Sequence, residues 1–215
     1  VDGSYVYEVA QWYPRMAVYD DVRGWNTEQY LGQGEFYLEY GSFDVSLTVP
    51  ANMIVGATGV LQNPVEVLTA AQRTRLASAR TSDATVVIRG KDEIDDPASR
   101  PRPASGMLTW RFQADSVRDF AWAAARHFIW DAVGVNQGKT LAMSLYPPSA
   151  DSIWKESSQY AKFALEAGGT TIAIGRDGRL SGPELSAGLA EGIASSGANV
   201  FDVGIETWRC LVLLA

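Results

Sequence analysis

The chain has 215 residues, 47% hydrophobic and 20% charged, with seven Trp, nine Tyr and seven Phe, a composition that folds and excludes a disordered acidic tail. Its 18 basic and 25 acidic residues give a formal charge of −7, so nucleic-acid phosphates meet no basic footprint. A single His, His127, and a single Cys, Cys210, exclude a zincin His pair, a Cys/His zinc cluster and an internal disulfide.

In chain order, residues up to about 146 follow a period of two broken by turn residues. Strands are predicted at 16–19, 35–40, 43–49, 54–61, 85–89, 107–114, 120–124 and 140–146. Phe43, Val45, Leu47 and Val49 alternate with Asp44, Ser46 and Thr48, and Gly41-Ser42 reads as the turn of a hairpin joining 35–40 to 43–49. Many short strands separated by Gly, Pro and Asn indicate an antiparallel sandwich. Residues 69–80, rich in Ala, Gln, Arg and Leu, predict a short helix, and 91–105, with three Pro and Asp92, Glu93, Asp95 and Asp96, a solvated polar loop without the spacing of a calcium site.

After Pro147-Pro148 the period changes. Ile153, Trp154, Ser157, Ala161, Ala164 and Leu165 fall at helical spacing behind a cap at Ser149 or Asp151, predicting a helix to about 166 that Gly168-Gly169 ends. Residues 170–174 and 199–203 are apolar runs around a Gly-rich turn and a helix. That helix has a capping box at Ser181 and Glu184, Pro183 in its first turn, Gly197 as its stop, and Leu185, Leu189 and Ile193 as its buried stripe. The order reads as one β-α-β unit. The fold expected is therefore mainly β: a partial antiparallel β-sandwich over 1–166, then a helix and a short β-α-β segment within 167–215.

Chemistry concentrates at Gly175-Arg176-Asp177-Gly178-Arg179-Leu180-Ser181-Gly182-Pro183-Glu184-Leu185, between a strand and a helix. Unpaired N–H groups at a helix start, with Arg176 and Arg179 beside them, make a candidate phosphate site, although the spacing fits neither the dinucleotide nor the Walker pattern. The alternative is an Arg176–Asp177 pair with glycines that serve the turn. His127 has Asp131 four residues on to orient it as a base but no indicated nucleophile, and reads as a loop or packing residue. Trp122, Phe128 and Trp130 read as core, and Cys210 as a small hydrophobe.

Residues 168–204, with GRDGRLSGPEL at their centre, resemble the first domain of the bacterial phosphomannomutase/phosphoglucomutase family. The resemblance implies a role for Arg176 and Arg179 toward a sugar phosphate. That family's phosphoserine loop, magnesium-binding loop and sugar-recognition domains have no counterpart in these residues. Tyr19-Asp20-Asp21-Val22-Arg23-Gly24 echoes its Tyr-Asp-x-Arg-Gly motif only superficially.

A longer succession resembles the second half of the N-terminal β-sandwich of aminopeptidase N-like zinc metallopeptidases: QWYPRMAVYDDVRGW over 11–25, Tyr30-Leu31-Gly32, Phe43-Asp44-Val45, Thr48-Val49-Pro50-Ala51, Ala57-Thr58-Gly59-Val60-Leu61 and Asp119-Phe120-Ala121-Trp122. In that family the sandwich is noncatalytic and packs on the zinc domain. Gln11 would be the residue reaching the peptide amine, against the simpler reading of a structural Gln beside Trp12 in a strand.

The leading expectation is a noncatalytic domain portion related to zinc aminopeptidases, with no cofactor of its own, the zinc and magnesium belonging to full-length relatives. The alternative is a phosphosugar-binding fragment of a phosphomannomutase/phosphoglucomutase. A missing catalytic domain, or a second copy at an exposed sheet edge, is the expected partner. No signal pattern and no apolar run of ~18–20 residues is present. A soluble protein of the bacterial cytoplasm or cell envelope, with no membrane partner, is expected.

Overall fold

The computed structural model describes residues 5–28, 37–101, 106–166, 171–176, 199–205 and 211–214. Its elements in order are β1 (Val6–Val9), β2 (Tyr19–Asp20), β3 (Gly24–Trp25), β4 (Gly41–Pro50), β5 (Ile54–Ala57), β6 (Val60–Leu61), α1 (Pro64–Val67), α2 (Ala70–Ala79), β7 (Val86–Arg89), β8 (Met107–Val117), β9 (Trp122–Ala125), β10 (Ile129–Val135), β11 (Thr140–Tyr146), α3 (Asp151–Trp154), α4 (Ser157–Glu166), β12 (Thr171–Arg176), β13 (Asn199–Ile205) and β14 (Leu211–Leu214). The chain is mainly β. Antiparallel sheets run in the orders β4-β8-β6, β1-β9-β5 and β14-β11-β10-β7, with a small β2-β3 ribbon and one parallel pair, β12-β13. Among the described residues no helix is long and apolar enough to cross a membrane.

The alternation in β4 has the expected consequence: Leu47 and Val49 are buried, Ser46 and Thr48 exposed, and the partner β8 buries Trp110, Phe112 and Ala114 in step. These side chains meet Ile54, Val55 and Ala57 of β5, Ala123, Ala124 and Ala125 of β9, and Trp130, Ala132, Leu141, Met143 and Leu145 of β10 and β11 in one cluster. Phe128 and Trp130 belong to that core and Trp122 packs on its margin, as the sequence indicates. Helix α2 starts where its capping box places it. Thr69 Oγ1 accepts from the Gln72 N–H at 3.3 Å and Gln72 Oε1 accepts from the Thr69 N–H at 3.0 Å.

Several expectations need correction. Residues 37–40 form no strand, and Gly41 opens β4, which pairs with β8 across the sequence rather than in a local hairpin; 35 and 36 lie outside the described residues. Long-range burial of Trp110 and Phe112 outweighs the local turn. The strand expected at 16–19 is confined to Tyr19–Asp20, with Met16 exposed. Asp20 Oδ1 accepts from the Val22 and Arg23 N–H groups, closing a turn that joins β2 to β3. Those N–H donors, that of Arg23 first, hold the Asp20 carboxyl below its usual range.

The segment expected as one strand at 54–61 is two strands in different sheets, β5 on β9 and β6 on β8, broken at Thr58-Gly59. Gly59 has φ +87°, and a Cβ there would lie 2.3 Å from the Gln113 carbonyl oxygen. Only glycine fits both the backbone angle and the approach. β1 and β10 have no counterpart among the expected strands. β10 reads Ile-Trp-Asp-Ala-Val-Gly-Val and is buried at every position, so no polar alternation marks it.

Burial at every position means that β10 is covered twice. Trp130 and Ala132 face the main core, while Val133 and Val135 form a second cluster with Ala142 under Ala161 of α4. Asp131 shares that outer face and is 1% exposed. Its Oδ2 accepts from the Tyr146 hydroxyl at 2.9 Å and its Oδ1 from the Ser158 hydroxyl at 2.5 Å; Ser158 Oγ lies 2.8 Å from Ser144 Oγ. Ser158 Oγ thus faces two acceptors, Asp131 Oδ1 and Ser144 Oγ, with one hydroxyl proton between them. This network docks the first turn of α4 on β10 and β11. The helix expected at 151–166 is accordingly broken into α3 and α4, and its stripe is rotated: Ile153 (65% exposed) and Leu165 (42%) face outward, while Ser158 is buried.

The polar loop after β7 is anchored by two interior cations. Arg89 is fully buried. Its Nη1 donates to the carbonyls of Arg126 at 3.1 Å and Phe128 at 2.7 Å, and its Nη2 to that of Ile94 at 2.9 Å; Arg100 Nη2 donates to the same Arg126 carbonyl at 2.8 Å. Burial, with Arg100 close by, pushes the Arg89 guanidinium down to about 10, which leaves it charged at neutral pH. Glu93, an acidic residue of the same loop, accepts from Arg75 at 2.6 Å and from the Gly90 N–H at 2.8 Å.

Two measurements test this packing. Gly59→Ala should cost about 2 kcal/mol or more in urea unfolding, from the positive φ and the contact with Gln113 together; an unchanged midpoint would contradict the close approach. Burial raises the Asp131 carboxyl from 3.8 to about 6, against the opposing donations of Ser158 and Tyr146, with Glu156 and Asp151 adding to the rise. The folded state thus holds this proton more tightly than the unfolded chain. Its stabilisation is complete below pH 3.8 and is lost as pH rises through about 6, amounting to about 3 kcal/mol. Asp131→Asn stays neutral, so its stability relative to wild type should rise by about that amount between pH 4 and pH 7; parallel profiles would refute the assignment.

Candidate functional site

The β-α-β reading of the last third rests on two apolar runs, and both form strands. β12 and β13 pair in parallel, Thr171 opposite Asn199 through Ile174 opposite Asp202; the register then shifts, so that Gly175 lies opposite Gly204 and Arg176 opposite Ile205. A parallel pair brings both C-terminal ends to one edge, where ligands of open α/β sheets bind. At that edge the backbone carries a glycine on each strand at the same level, with no Cβ on either to hold a ligand off. Arg176 is the last residue of β12. Arg179, the remainder of the Gly-rich turn, the helix expected over 182–196 and Cys210 lie outside the described residues.

The other residues singled out in the sequence do not gather there. Gln11 is not in a strand, as expected beside Trp12, but in the left-handed region at φ 55° with its side chain exposed. The strand ends before it because the following residues are held elsewhere. Trp12 Nε1 donates to the Phe120 carbonyl at 3.0 Å, the Tyr13 hydroxyl to Asp119 Oδ1 at 2.8 Å, and Arg15 to Asp119 Oδ2 at 2.5 Å. Burial, then the bond to Asp119, raises the Tyr13 hydroxyl. Asp131 is occupied by Tyr146 and Ser158, so its role is to fix α4 rather than to orient His127 as a base. Among the described residues no three His, Cys, Asp or Glu side chains stand where they could share a metal ion.

Among the described residues, two of the cavities concern small molecules. One is polar and lies between β7, the turn after it and α3–α4, with Asp92, Asp131, Asp151, Glu156 and Lys155 among its walls. Acidic groups outnumber the cations there, which disfavours a phosphate. The other is apolar, has a volume of about 250 Å³ and lies between α2 and the inner faces of β10 and β11. Sequence reasoning missed it, since its walls come from β5, β6, α2, β8, β10 and β11, and no local spacing records their meeting.

Comparison with known proteins finds similarity over a segment that contains the parallel pair. Residues 150–212 match the family model of phosphoglucomutase/phosphomannomutase, alpha/beta/alpha domain I. Phosphoglucosamine mutase of Desulforapulum autotrophicum is 45% identical over 62 residues, 29% of this chain and 13% of that protein. Phosphoglucomutase of Neisseria meningitidis serogroup B is 57% identical over 52 residues, 24% and 11% of the two chains. Phosphomannomutase/phosphoglucomutase of Pseudomonas aeruginosa is 50% identical over 42 residues, 20% and 9%. The alignments thus span 9% to 13% of the length of these three curated relatives. No solved structure matches the chain significantly. The similarity supports the mutase resemblance and lends none to the peptidase resemblance of residues 1–166. The matched span opens at Ala150, just after the change of period at Pro147-Pro148 and ahead of the boundary expected at 167, and so takes in α3 and α4; over these residues the chain is similar to the first domain of phosphohexose mutases.

Proposed function

We propose that this chain acts through residues 150–212 as a phosphosugar-binding portion related to the first domain of phosphoglucomutase and phosphomannomutase, rather than as a peptidase-type domain piece. The observation that carries the reading is the match of that segment to the domain I family model, together with a parallel strand pair whose C-terminal edge carries Gly175, Arg176 and Gly204. The ligand is a hexose phosphate. Its phosphate dianion is drawn to the Gly-rich run by the guanidinium groups of Arg176 and Arg179, and by the backbone N–H groups of the helix start that the Ser181/Glu184 pattern predicts. Arginine suits this role because its planar fork meets two phosphate oxygens at once and cannot lose its charge at neutral pH.

The part played by each group follows from its chemistry. On this reading backbone donors fix the phosphate and the arginines neutralise it. Binding of this kind positions a phosphosugar; it does not by itself break the phosphate ester. Phosphoryl transfer would draw on groups other than those assigned here.

Titration calorimetry of the full chain with glucose 6-phosphate tests the proposal, with glucose and inorganic phosphate as controls. Binding in the range of about 0.1–5 mM is expected, weaker for inorganic phosphate and absent for glucose, with roughly a tenfold loss in an Arg176→Ala/Arg179→Ala double variant whose circular dichroism is unchanged. Absence of heat at about 10 mM glucose 6-phosphate, or equal binding by the double variant, would overturn it.

A further inference from the structure

We infer that the apolar cavity under α2 is a second, separate ligand site, and that it takes a small monocarboxylate with an unbranched apolar body. Its walls are Val55, Leu61, Leu76, Phe112, Trp130 and Leu141 with their neighbours, and no Asp or Glu is among the residues lining it. The charged groups that do reach it are Arg73 and Arg80. Among the described residues neither forms an ion pair. An apolar volume with cations and no anion at its rim is complementary to one class of small molecule, an amphipathic anion.

The helix explains the arrangement. Arg73, Leu76, Ala77 and Arg80 stand at i, i+3, i+4 and i+7, one face of α2, so the helix lies along the cavity with an arginine at each end. The two are about 10 Å apart along the axis. Arg73 sits in the first turn or just beyond it, near the positive end of the helix dipole, and gives one N–H to the Leu68 carbonyl at 2.7 Å, one of five donors on its guanidinium. Arg80 is the C-cap, beside the last carbonyls of α2, where a second negative group is disfavoured; its Nη1 reaches the Gly138 carbonyl at 3.4 Å. The carboxylate therefore belongs at Arg73, with the apolar chain running past Leu76 toward β10.

The wall and the volume fit this orientation. Trp130, 4% exposed, stands in the wall on the β10 side, where the apolar chain runs, and so reports on occupancy. The volume of about 250 Å³ holds roughly eight groups the size of a water molecule, which matches a chain of six to eight carbons. Nothing in the site depends on residues 167–215, so the inference stands apart from the phosphosugar reading.

The test uses the full chain titrated with octanoate and, as an uncharged analogue, 1-octanol, by calorimetry and by the indole region of the proton–nitrogen correlation spectrum, the Trp130 signal being assigned with Trp130→Phe. Octanoate is expected to bind at least fivefold more tightly than 1-octanol and to move the Trp130 indole resonance. Arg73→Gln should remove that preference while leaving 1-octanol binding unchanged, a result that loss of the Leu68 contact alone would not give. Arg80→Gln should change octanoate binding less than twofold. Ala77→Phe, at an exposed position of the rim, should block both ligands without altering thermal unfolding. Equal affinity for the two ligands, a preference that survives Arg73→Gln, octanoate binding that survives Ala77→Phe, or no octanoate binding at 5 mM would each overturn the assignment.

Discussion

A single strand with both faces dry organises this molecule. β10 runs in the middle of its sheet, and every side chain on it leaves water. Its period of two therefore separates two interiors rather than an interior from solvent. Even-numbered positions supply Trp130 and Ala132 to the main core, and Gly134 lets the end of α2 come close: a Cβ there would lie 2.2 Å from the Arg80 carbonyl oxygen. Odd-numbered positions supply Val133, Val135 and the Asp131 carboxylate to the underside of α4. Both the cavity beneath α2 and the docking of α4 exist because this strand is covered twice.

How far the fold can be read in advance depends on whether the deciding interaction is local. Thr69 and Gln72 close a capping box three residues apart, so the start of α2 is written in the sequence; β4 alternates against water, so its faces are as well. β10 has neither signal, and its only polar residue is an aspartate satisfied by hydroxyls 15 and 27 residues away. The break at Gly59 is equally hidden, since an ordinary apolar run gives no sign that its halves pair with different strands. The Gly-Arg-Asp-Gly-Arg run proposed to take a phosphate is contiguous in the sequence, and so is legible there. The cavity is not, because Arg73, Trp130 and Leu141 meet only through tertiary packing.

The boundary drawn by similarity and the boundary drawn by packing fall in different places. The family match begins at Ala150 and includes α4, yet the buried hydroxyl of Ser158 on α4 is bonded to Asp131 and Ser144, which precede the match. A helix within the matched segment is thus seated on β10 and β11, strands that precede that segment. The seat is specific as well as apolar: a carboxylate, a phenol and two serine hydroxyls satisfy one another where Ala161 also packs on Val133, Val135 and Ala142.

The interior guanidinium of Arg89 has an effect of a different kind. It ties Ile94, in the turn following β7, to Arg126 and Phe128, in the link between β9 and β10, through three carbonyls approached from separate directions. A lysine at 89 would offer its donors from one point and would leave at least one of those oxygens dry and unbonded. Two segments whose tied carbonyls, at Ile94 and Arg126, lie 32 residues apart are thereby obliged to vary together. An insertion in either would have to preserve the spacing of the other, so sequence drift in this corner of the molecule is confined to exposed side chains and kept away from loop length.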